Sequence, residues 1–218
     1  MASETPAGGL APALHAVFVR HAAAWVYLAG VCLAELCYAL LPQPDQAALL
    51  RWASTSVQNL THHPVASLIA SAFFPTSFLL AWPVLVALAL FGATSVLGNW
   101  RTAVTCAAGQ VVGTVVSEGV VGYRIGVGSL PHADRFLLDV GPSYVVVAAI
   151  AVGLLHGGWL VRAAGVLDLA LLIFVGQIFS GLSHLEVAPV GHLTALITGM
   201  VVGTALARRY TANSPGHY

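Results

Sequence analysis

Charged side chains are scarce in this 218-residue sequence, where they make up 7% of the residues, and lysine is missing altogether. An ordinary soluble domain carries about 25% charged residues. The hydrophobic fraction is 58% and the mean hydropathy is +0.87. A chain with so little charge cannot cover the water-facing surface of a soluble fold, so the composition predicts an integral membrane protein.

Other shortages narrow the class of protein further. The apolar runs show almost no alternation with polar residues, which excludes an outer-membrane β-barrel. The formal net charge is zero and there is no basic patch, so we expect no nucleic-acid partner. The three cysteines, Cys32, Cys37 and Cys106, lie within apolar runs and form neither a disulfide framework nor a metal-binding pattern. No helical His-x-x-x-His motif is present either, so we expect no metal. The serine chemistry described below would need no cofactor.

The apolar runs predict an all-α, polytopic membrane bundle. A membrane-spanning helix needs about 20 mostly apolar residues. Six runs of roughly this length predict spans at residues 22–41, 66–91, 102–121, 143–160, 163–182 and 190–207. Pro75 and Pro83 interrupt the second of these spans. We expect residues 22–207 to form one membrane domain, with residues 1–21 and 208–218 as cytoplasmic tails.

The arginine positions predict the orientation of the bundle. Cytoplasmic loops of membrane proteins are enriched in basic residues. With the N-terminus inside, five of the eight arginines fall on the cytoplasmic side, so we expect an N-in/C-in topology. Arginine without lysine, together with abundant Ala, Gly and Val, is typical of a GC-rich bacterial genome. The expected location is therefore the plasma membrane of a bacterium, its inner membrane.

Ser143 and His192 form the pair of side chains that best fits a chemical role. They stand near the starts of the fourth and sixth predicted spans, which both run inward from the extracytoplasmic side, so they lie at similar depth. A histidine can take the proton of a serine and make it a nucleophile. Ala195, Gly199 and Gly203 repeat every four residues along the sixth span, and such small residues let helices pack closely.

The residues before Ser143 are typical of a helix start. Gly141 permits a tight turn, and Pro142 suits the first helical turn. A serine at a helix N-terminus lies beside free backbone N–H groups, which can stabilise an oxyanion. In the alternative interpretation Ser143 only caps the helix.

Four motifs together resemble those of the rhomboid superfamily. Residues 63–73 resemble the start of the family's second span, and residues 98–101 resemble the cytoplasmic turn that follows it. The sequence Gly-Pro-Ser-Tyr at residues 141–144 stands where the family has Gly-x-Ser-Gly around its nucleophile. Gly191 and His192 stand where the family has Ala-His, whose histidine is the general base.

The resemblance implies a rhomboid-like bundle of six membrane-spanning helices that works as an intramembrane serine protease. Rhomboid proteases cut other membrane proteins within or beside their membrane-spanning segments, with a Ser–His dyad and without a metal. Ser143 would be the nucleophile and His192 the base, at the extracytoplasmic face. The partners would be transmembrane protein substrates or clients within the lipid bilayer.

Two departures from the family pattern concern the oxyanion site. Tyr144 replaces the glycine that follows the nucleophile, and residues 78–84 lack the His-x-x-x-Asn pattern of the family's second span. The backbone N–H of Ser143 would remain as a donor, with Gly141, Tyr144 and a loop group such as Asn59 as oxyanion or supporting residues. Losing one such donor costs on the order of 100- to 1000-fold in rate.

These departures leave other functions open. The main alternative is a catalytically inactive rhomboid pseudoprotease that binds the transmembrane helices of client proteins. A polar donor near Ser143, replacing the missing histidine and asparagine, would favour the protease. A small-molecule transporter would instead have a water-filled path joining Glu35, Gln110 or Gln177 near the midplane.

Overall fold

The computed structural model describes residues 10–75 and 79–212, and this part of the chain contains helices and no β-strand. Its ten α-helices are α1 (Leu10–Arg20), α2 (Ala22–Leu40), α3 (Gln43–Ala53), α4 (Val57–His62), α5 (Pro64–Ser71), α6 (Trp82–Leu97), α7 (Asn99–Gly126), α8 (Ser143–His156), α9 (Trp159–Phe174) and α10 (Val187–Ala212). Short 3-10 turns lie at Leu79–Ala81, His132–Phe136 and Leu182–His184.

Three segments are long and apolar enough to cross a membrane, namely Ala22–Leu40, Asn99–Gly126 and Val187–Arg209. They correspond to α2, α7 and most of α10. The helices α6 and α8 are shorter but also apolar, with 16 and 14 residues. The fold class is therefore all-α, with the apolar helices of a membrane protein.

The centre of the bundle is α8. Every residue from Tyr144 to Gly153 is buried, and α8 packs against α6, α7, α9 and α10. At 1.5 Å per residue its 14 residues extend about 21 Å, which is less than the roughly 30 Å hydrocarbon core of a bilayer. The first residue of α8, Ser143, therefore lies between longer helices.

Glycines allow α7 and α10 to approach α8 closely. A Cβ atom added at Gly109 of α7 would lie 2.5 Å from the Ala148 Cβ, and one added at Gly199 of α10 would lie 2.5 Å from the Ala148 carbonyl oxygen. Real Cβ atoms essentially never approach other atoms this closely. These two contacts fix the spacing of the three helices at the level of Ala148.

The predicted second span, residues 66–91 with interruptions at Pro75 and Pro83, is divided between two helices. The helix α5 ends at Ser71 and α6 begins at Trp82, while residues 76–78 lie outside the described part. Proline lacks a backbone N–H and is tolerated in the first turn of a helix. Pro83 occupies the first turn of α6, so it marks a helix start and does not interrupt a longer span.

Boundaries elsewhere also differ from those predicted. The fifth predicted span extends to residue 182, but α9 ends at Phe174. The chain then turns, with positive φ at Gln177 and Gly181, and such residues cannot continue a right-handed helix. The predicted N-terminal tail contains α1, and the predicted C-terminal tail begins within α10.

Candidate active site

Ser143 and His192 are hydrogen-bonded to each other. Ser143 is the first residue of α8, and His192 lies near the start of α10. The Ser143 Oγ atom is 2.8 Å from the His192 Nε2 atom. The structure therefore brings together the two residues that the sequence analysis pairs, at the distance that proton transfer from a nucleophile to a base requires.

A backbone carbonyl orients the imidazole of His192. The His192 Nδ1 atom is 2.9 Å from the carbonyl oxygen of Ile178, in the irregular segment between α9 and α10. A carbonyl oxygen can only accept, so Nδ1 carries the proton in this contact. In the neutral ring Nε2 is then an acceptor, free to receive the hydroxyl proton of Ser143.

A cavity of about 350 Å³ lies over the dyad. It is bounded by the start of α6, the end of α9, the loop before α8 and the start of α10. Its lining residues are Pro75, Trp82, Leu138, Asp139, Val140, Gly141, Ser143, Leu172, Gly176, Ile178, Ala188 and His192. A reacting group placed in this cavity can reach the Ser143 hydroxyl.

The turn before Ser143 presents the serine at the N-terminus of α8. Gly141 has a φ of +149°, a conformation that side chains with a Cβ rarely adopt, and its N–H donates to the carbonyl of Ser71 at 2.8 Å. Pro142 is the N-cap and provides no side-chain cap, so Ser143 is not the capping residue. The N–H groups of the first turn lack intrahelical acceptors and are available to an oxyanion.

Tyr144 is buried beneath the dyad and does not line the cavity. Only 3% of its surface is exposed. Its ring meets the His192 imidazole edge to face, with ring centroids 5.1 Å apart and an interplanar angle of 80°. The tyrosine that replaces the family's glycine therefore supports the imidazole and leaves access to Ser143 open.

Asp139 connects Tyr144 to the segment between α3 and α4. The Tyr144 hydroxyl donates to Asp139 Oδ2 at 3.0 Å. The hydroxyl of Thr55 donates to the same oxygen at 3.2 Å, and the Asp139 N–H donates to the Ser54 Oγ at 3.0 Å. Burial raises the pKa of the Asp139 carboxyl from 3.8 to about 6, although these two side-chain donors act in the opposite direction.

This raised pKa predicts a pH-dependent stability that Asp139→Asn removes. Between pH 3.8 and about 6 the folded chain binds more protons than the unfolded chain, so the wild type loses stability as pH rises through this window. The two pKa values differ by an amount worth at most about 3 kcal/mol. We therefore measure the free energy of unfolding in detergent at pH 4 and pH 7.5. Relative to Asp139→Asn, the wild type should be less stable at pH 7.5 than at pH 4. An equal difference between the two proteins at both pH values contradicts this, and exposed Asp45→Asn is the control.

Asn59 lies away from the cavity. Its amide donates to the carbonyl oxygens of Arg51 at 2.7 Å and Ser54 at 2.8 Å. These bonds hold the turn between α3 and α4, which carries the Ser54 and Thr55 contacts to Asp139. Asn59 is therefore linked to the dyad only through Ser54, Asp139 and Tyr144, and it does not point at an oxyanion there.

The small residues of α10 are buried against its neighbours. A Cβ at Gly199 would meet the Ala148 backbone, and one at Gly203 would meet the Val152 side chain, both on α8. Ala195 is fully buried and faces Gly113 of α7. The stripe thus lies where α10 contacts the helix that carries Ser143.

Several residues that hold the dyad in place were not found from the sequence. They are Ser54, Thr55, Gly109, Gly113 and Ile178. Gly109 and Gly113 did carry a signal, since small residues four apart on a predicted span indicate close helix packing. Ile178 carried none, because it contributes only a backbone carbonyl, which any residue would supply.

One comparison with known proteins identifies relatives of this chain. A family model described as "Rhomboid-like protein" matches residues 17–211. Comparison with curated proteins and with solved structures finds no match. The matched range includes the cavity, both members of the dyad and all the helices that surround them.

Proposed function

The chain belongs to the rhomboid-like protein family, and on this premise we propose that it is an intramembrane serine protease that cleaves transmembrane proteins. The observation that carries the proposal is the 2.8 Å contact between Ser143 Oγ and His192 Nε2 at a cavity. We further propose six spans in an N-in/C-in topology, with the dyad toward the extracytoplasmic face of a bacterial plasma membrane. The helices α2, α6, α7, α8, α9 and α10 would be the spans.

The proposed reaction follows from the positions of the two side chains. The Ser143 Oγ atom attacks the carbonyl carbon of the scissile peptide bond while His192 Nε2 takes the hydroxyl proton. The first-turn N–H groups of α8 stabilise the oxyanion. The C–N bond then breaks, His192 returns the proton to the departing amine, and water hydrolyses the acyl ester on Ser143. The Ile178 carbonyl keeps the imidazole in the required tautomer throughout.

Covalent labelling by a fluorophosphonate probe tests the proposal directly. The probe phosphonylates a serine only when a base activates it, and the chemistry needs no natural substrate. We expect the purified protein in detergent to be labelled, and Ser143→Ala to lose the label while remaining folded. Buried Ser67→Ala, at a site outside the cavity, serves as the control and should keep the label. An unlabelled wild type with intact fold contradicts an activated serine.

A second function, a pseudoprotease that binds client helices, has one observation in its favour. Among the cavity residues in the described part of the chain, α5 and α6 contribute neither a histidine nor an asparagine. The oxyanion would then depend chiefly on the backbone of α8. Binding of a transmembrane client by wild type and Ser143→Ala alike, without labelling of wild type, would support this alternative.

The transporter alternative finds no support in the contacts of its proposed residues. Gln110 donates to the Ser71 hydroxyl at 3.0 Å, between α7 and α5. Gln177 is exposed and lies in the irregular segment after α9. Gln110 also lines a second cavity, of about 520 Å³, whose other lining residues are mostly apolar. Neither Glu35 nor Gln177 lines that cavity, so it does not join the three residues as the transporter would require.

A further inference from the structure

A buried aspartate outside the dyad is linked to the catalytic base through one aromatic ring. We propose that Asp139 is a positioning residue for the Ser143–His192 pair, acting through Tyr144, and this inference rests on the proposed function. The chain of contacts runs from the α3–α4 segment to Asp139, then to Tyr144, and then to the His192 ring.

The first step is the contact between Tyr144 and His192. The imidazole is held at Nδ1 by the Ile178 carbonyl and at Nε2 by Ser143. These two bonds lie in the plane of the ring and leave it free to tilt about the line between them. The edge-to-face contact of Tyr144, with centroids 5.1 Å apart, restricts that tilt.

The second step is the bond that fixes Tyr144 itself. Its hydroxyl donates to Asp139 Oδ2, and both side chains are buried. Ser117 of α7 is a second hydrogen-bonding neighbour of this hydroxyl. Asp139 supplies the charged acceptor, and a charged acceptor makes such a bond stronger. Loss of the carboxylate would therefore weaken the contacts that fix the position of the tyrosine ring.

The third step is the anchoring of Asp139. Its backbone carbonyl accepts from the N–H and the hydroxyl of Thr55, both at 3.0 Å, and its N–H donates to Ser54. Main chain and side chain of the aspartate are thus both held by the α3–α4 segment. Because Asp139 is held in place by these bonds, its carboxylate holds the Tyr144 hydroxyl in place.

Two glycines leave the space that the tyrosine ring occupies. A Cβ at Gly191, the residue before His192, would overlap the Tyr144 phenol. A Cβ at Gly113 of α7 would lie 3.3 Å from Tyr144 Cδ2. The large residue after the nucleophile and the small residue before the base therefore fit each other.

The charge of Asp139 adds an electrostatic effect to the positioning. His192 becomes an imidazolium when it takes the serine proton, and a carboxylate one ring away stabilises that cation. The ionisable groups that face Asp139 are Tyr144 on α8 and the buried Glu118 on α7, which interacts electrostatically with it. The effect disappears as Asp139 is protonated, near pH 6.

The test compares the rate of fluorophosphonate labelling from pH 5 to pH 8.5 in wild type, Asp139→Asn, Tyr144→Phe and the double variant. We expect each single variant to label about tenfold more slowly than wild type at pH 8. The double variant should label no more slowly than either single variant, because both changes interrupt the same chain of contacts from Asp139 to His192. The wild-type rate should fall through a step near pH 6 that Asp139→Asn lacks. Tyr144→Phe keeps the carboxyl but removes a donor that lowers its pKa, so its step should move to higher pH. Tyr123→Phe and Asp45→Asn, both at exposed positions, are the matched controls.

A second measurement keeps the inference distinct from the proposed function. Nitrogen-15 spectra of histidine-labelled protein report the His192 ring without any reaction, once its signal is assigned from His192→Ala. We expect a His192 shift near pH 6 in wild type that is absent in Asp139→Asn. If wild type is unlabelled but shows this shift, the protease proposal fails and the link stands. If Asp139→Asn keeps the wild-type pH profile and His192 shift, the positioning role is overturned, even if the variant is less stable.

Discussion

Ser143→Ala and His192→Ala are each expected to abolish cleavage of a transmembrane reporter while leaving the fold intact. Each substitution removes one end of the 2.8 Å bond between α8 and α10. Replacing the nucleophile or the base of a serine protease lowers the catalytic rate on the order of a million-fold. Both variants should therefore score at background in a cell-based assay of reporter cleavage.

The bundle supplies a matched control for this prediction at the other end of the same two helices. His156 of α8 lies 2.9 Å from the Thr204 hydroxyl of α10, through its Nε2 atom. This contact repeats the histidine–hydroxyl geometry of the dyad far from the cavity. His156→Ala and Thr204→Ala should lose a comparable amount of stability and still cleave the reporter.

The outcomes separate catalysis from structure. If His156→Ala is as inactive as His192→Ala, the loss reflects weakened packing between α8 and α10. If Ser143→Ala still cuts the reporter, the dyad is not the catalytic centre. Equal unfolding midpoints for His192→Ala and His156→Ala, measured in the same detergent, make the comparison between their activities direct.

The dyad could be predicted from the sequence because the bounds of a membrane span determine how deep each of its residues lies in the membrane. Two parallel spans that both start from one face place their first residues at the same level, so Ser143 and His192 had few other partners. The second span was predicted with interruptions at Pro75 and Pro83, and the structure divides it between α5 and α6. Hydropathy could not give the helix bounds, because it measures burial in lipid and does not measure helix continuity. Pro83 fits the first turn of a helix and not its interior, so it indicates a helix start more than an interruption.

The support around the dyad could not be predicted in the same way. The bond between Asp139 and Tyr144 joins residues only five apart, yet its role depends on Thr55, which lies 84 positions from Asp139. Nothing local to residue 55 indicates that contact. The effect of Tyr144 could not be predicted for the same reason, because the direction of its ring depends on the missing side chain of Gly191.

Gly199→Ala is expected to disrupt the dyad without touching it. The added Cβ would lie 2.5 Å from the Ala148 carbonyl oxygen and 2.7 Å from its Cα. These are backbone atoms of α8, so the strain can be relieved only by moving one helix away from the other. Overpacking of this kind costs about 1 to 3 kcal/mol, and an error of about 1 Å in a catalytic pair can cost on the order of 100-fold in rate.

Two other glycines calibrate this result. A Cβ at Gly203 would meet mainly the Val152 Cγ2 atom, which can turn away, whereas one at Gly119 would meet nothing within 4 Å. We therefore expect losses of stability and of labelling rate in the order Gly199→Ala, Gly203→Ala, Gly119→Ala. The last should be neutral or slightly stabilising, since alanine favours a helix by up to about 1 kcal/mol over glycine.

The comparison of stability and labelling in these three variants tests how the fold controls the site. The close contact between α10 and α8 at Ala148 is about one and a half helical turns from Ser143. Moving α10 away from α8 at this level therefore lengthens the distance between Ser143 and His192. If Gly199→Ala matches Gly119→Ala in both unfolding midpoint and labelling rate, helix spacing does not set the dyad geometry. If only its labelling rate falls, the glycine is retained for the alignment of nucleophile and base, at little cost to the stability of the bundle.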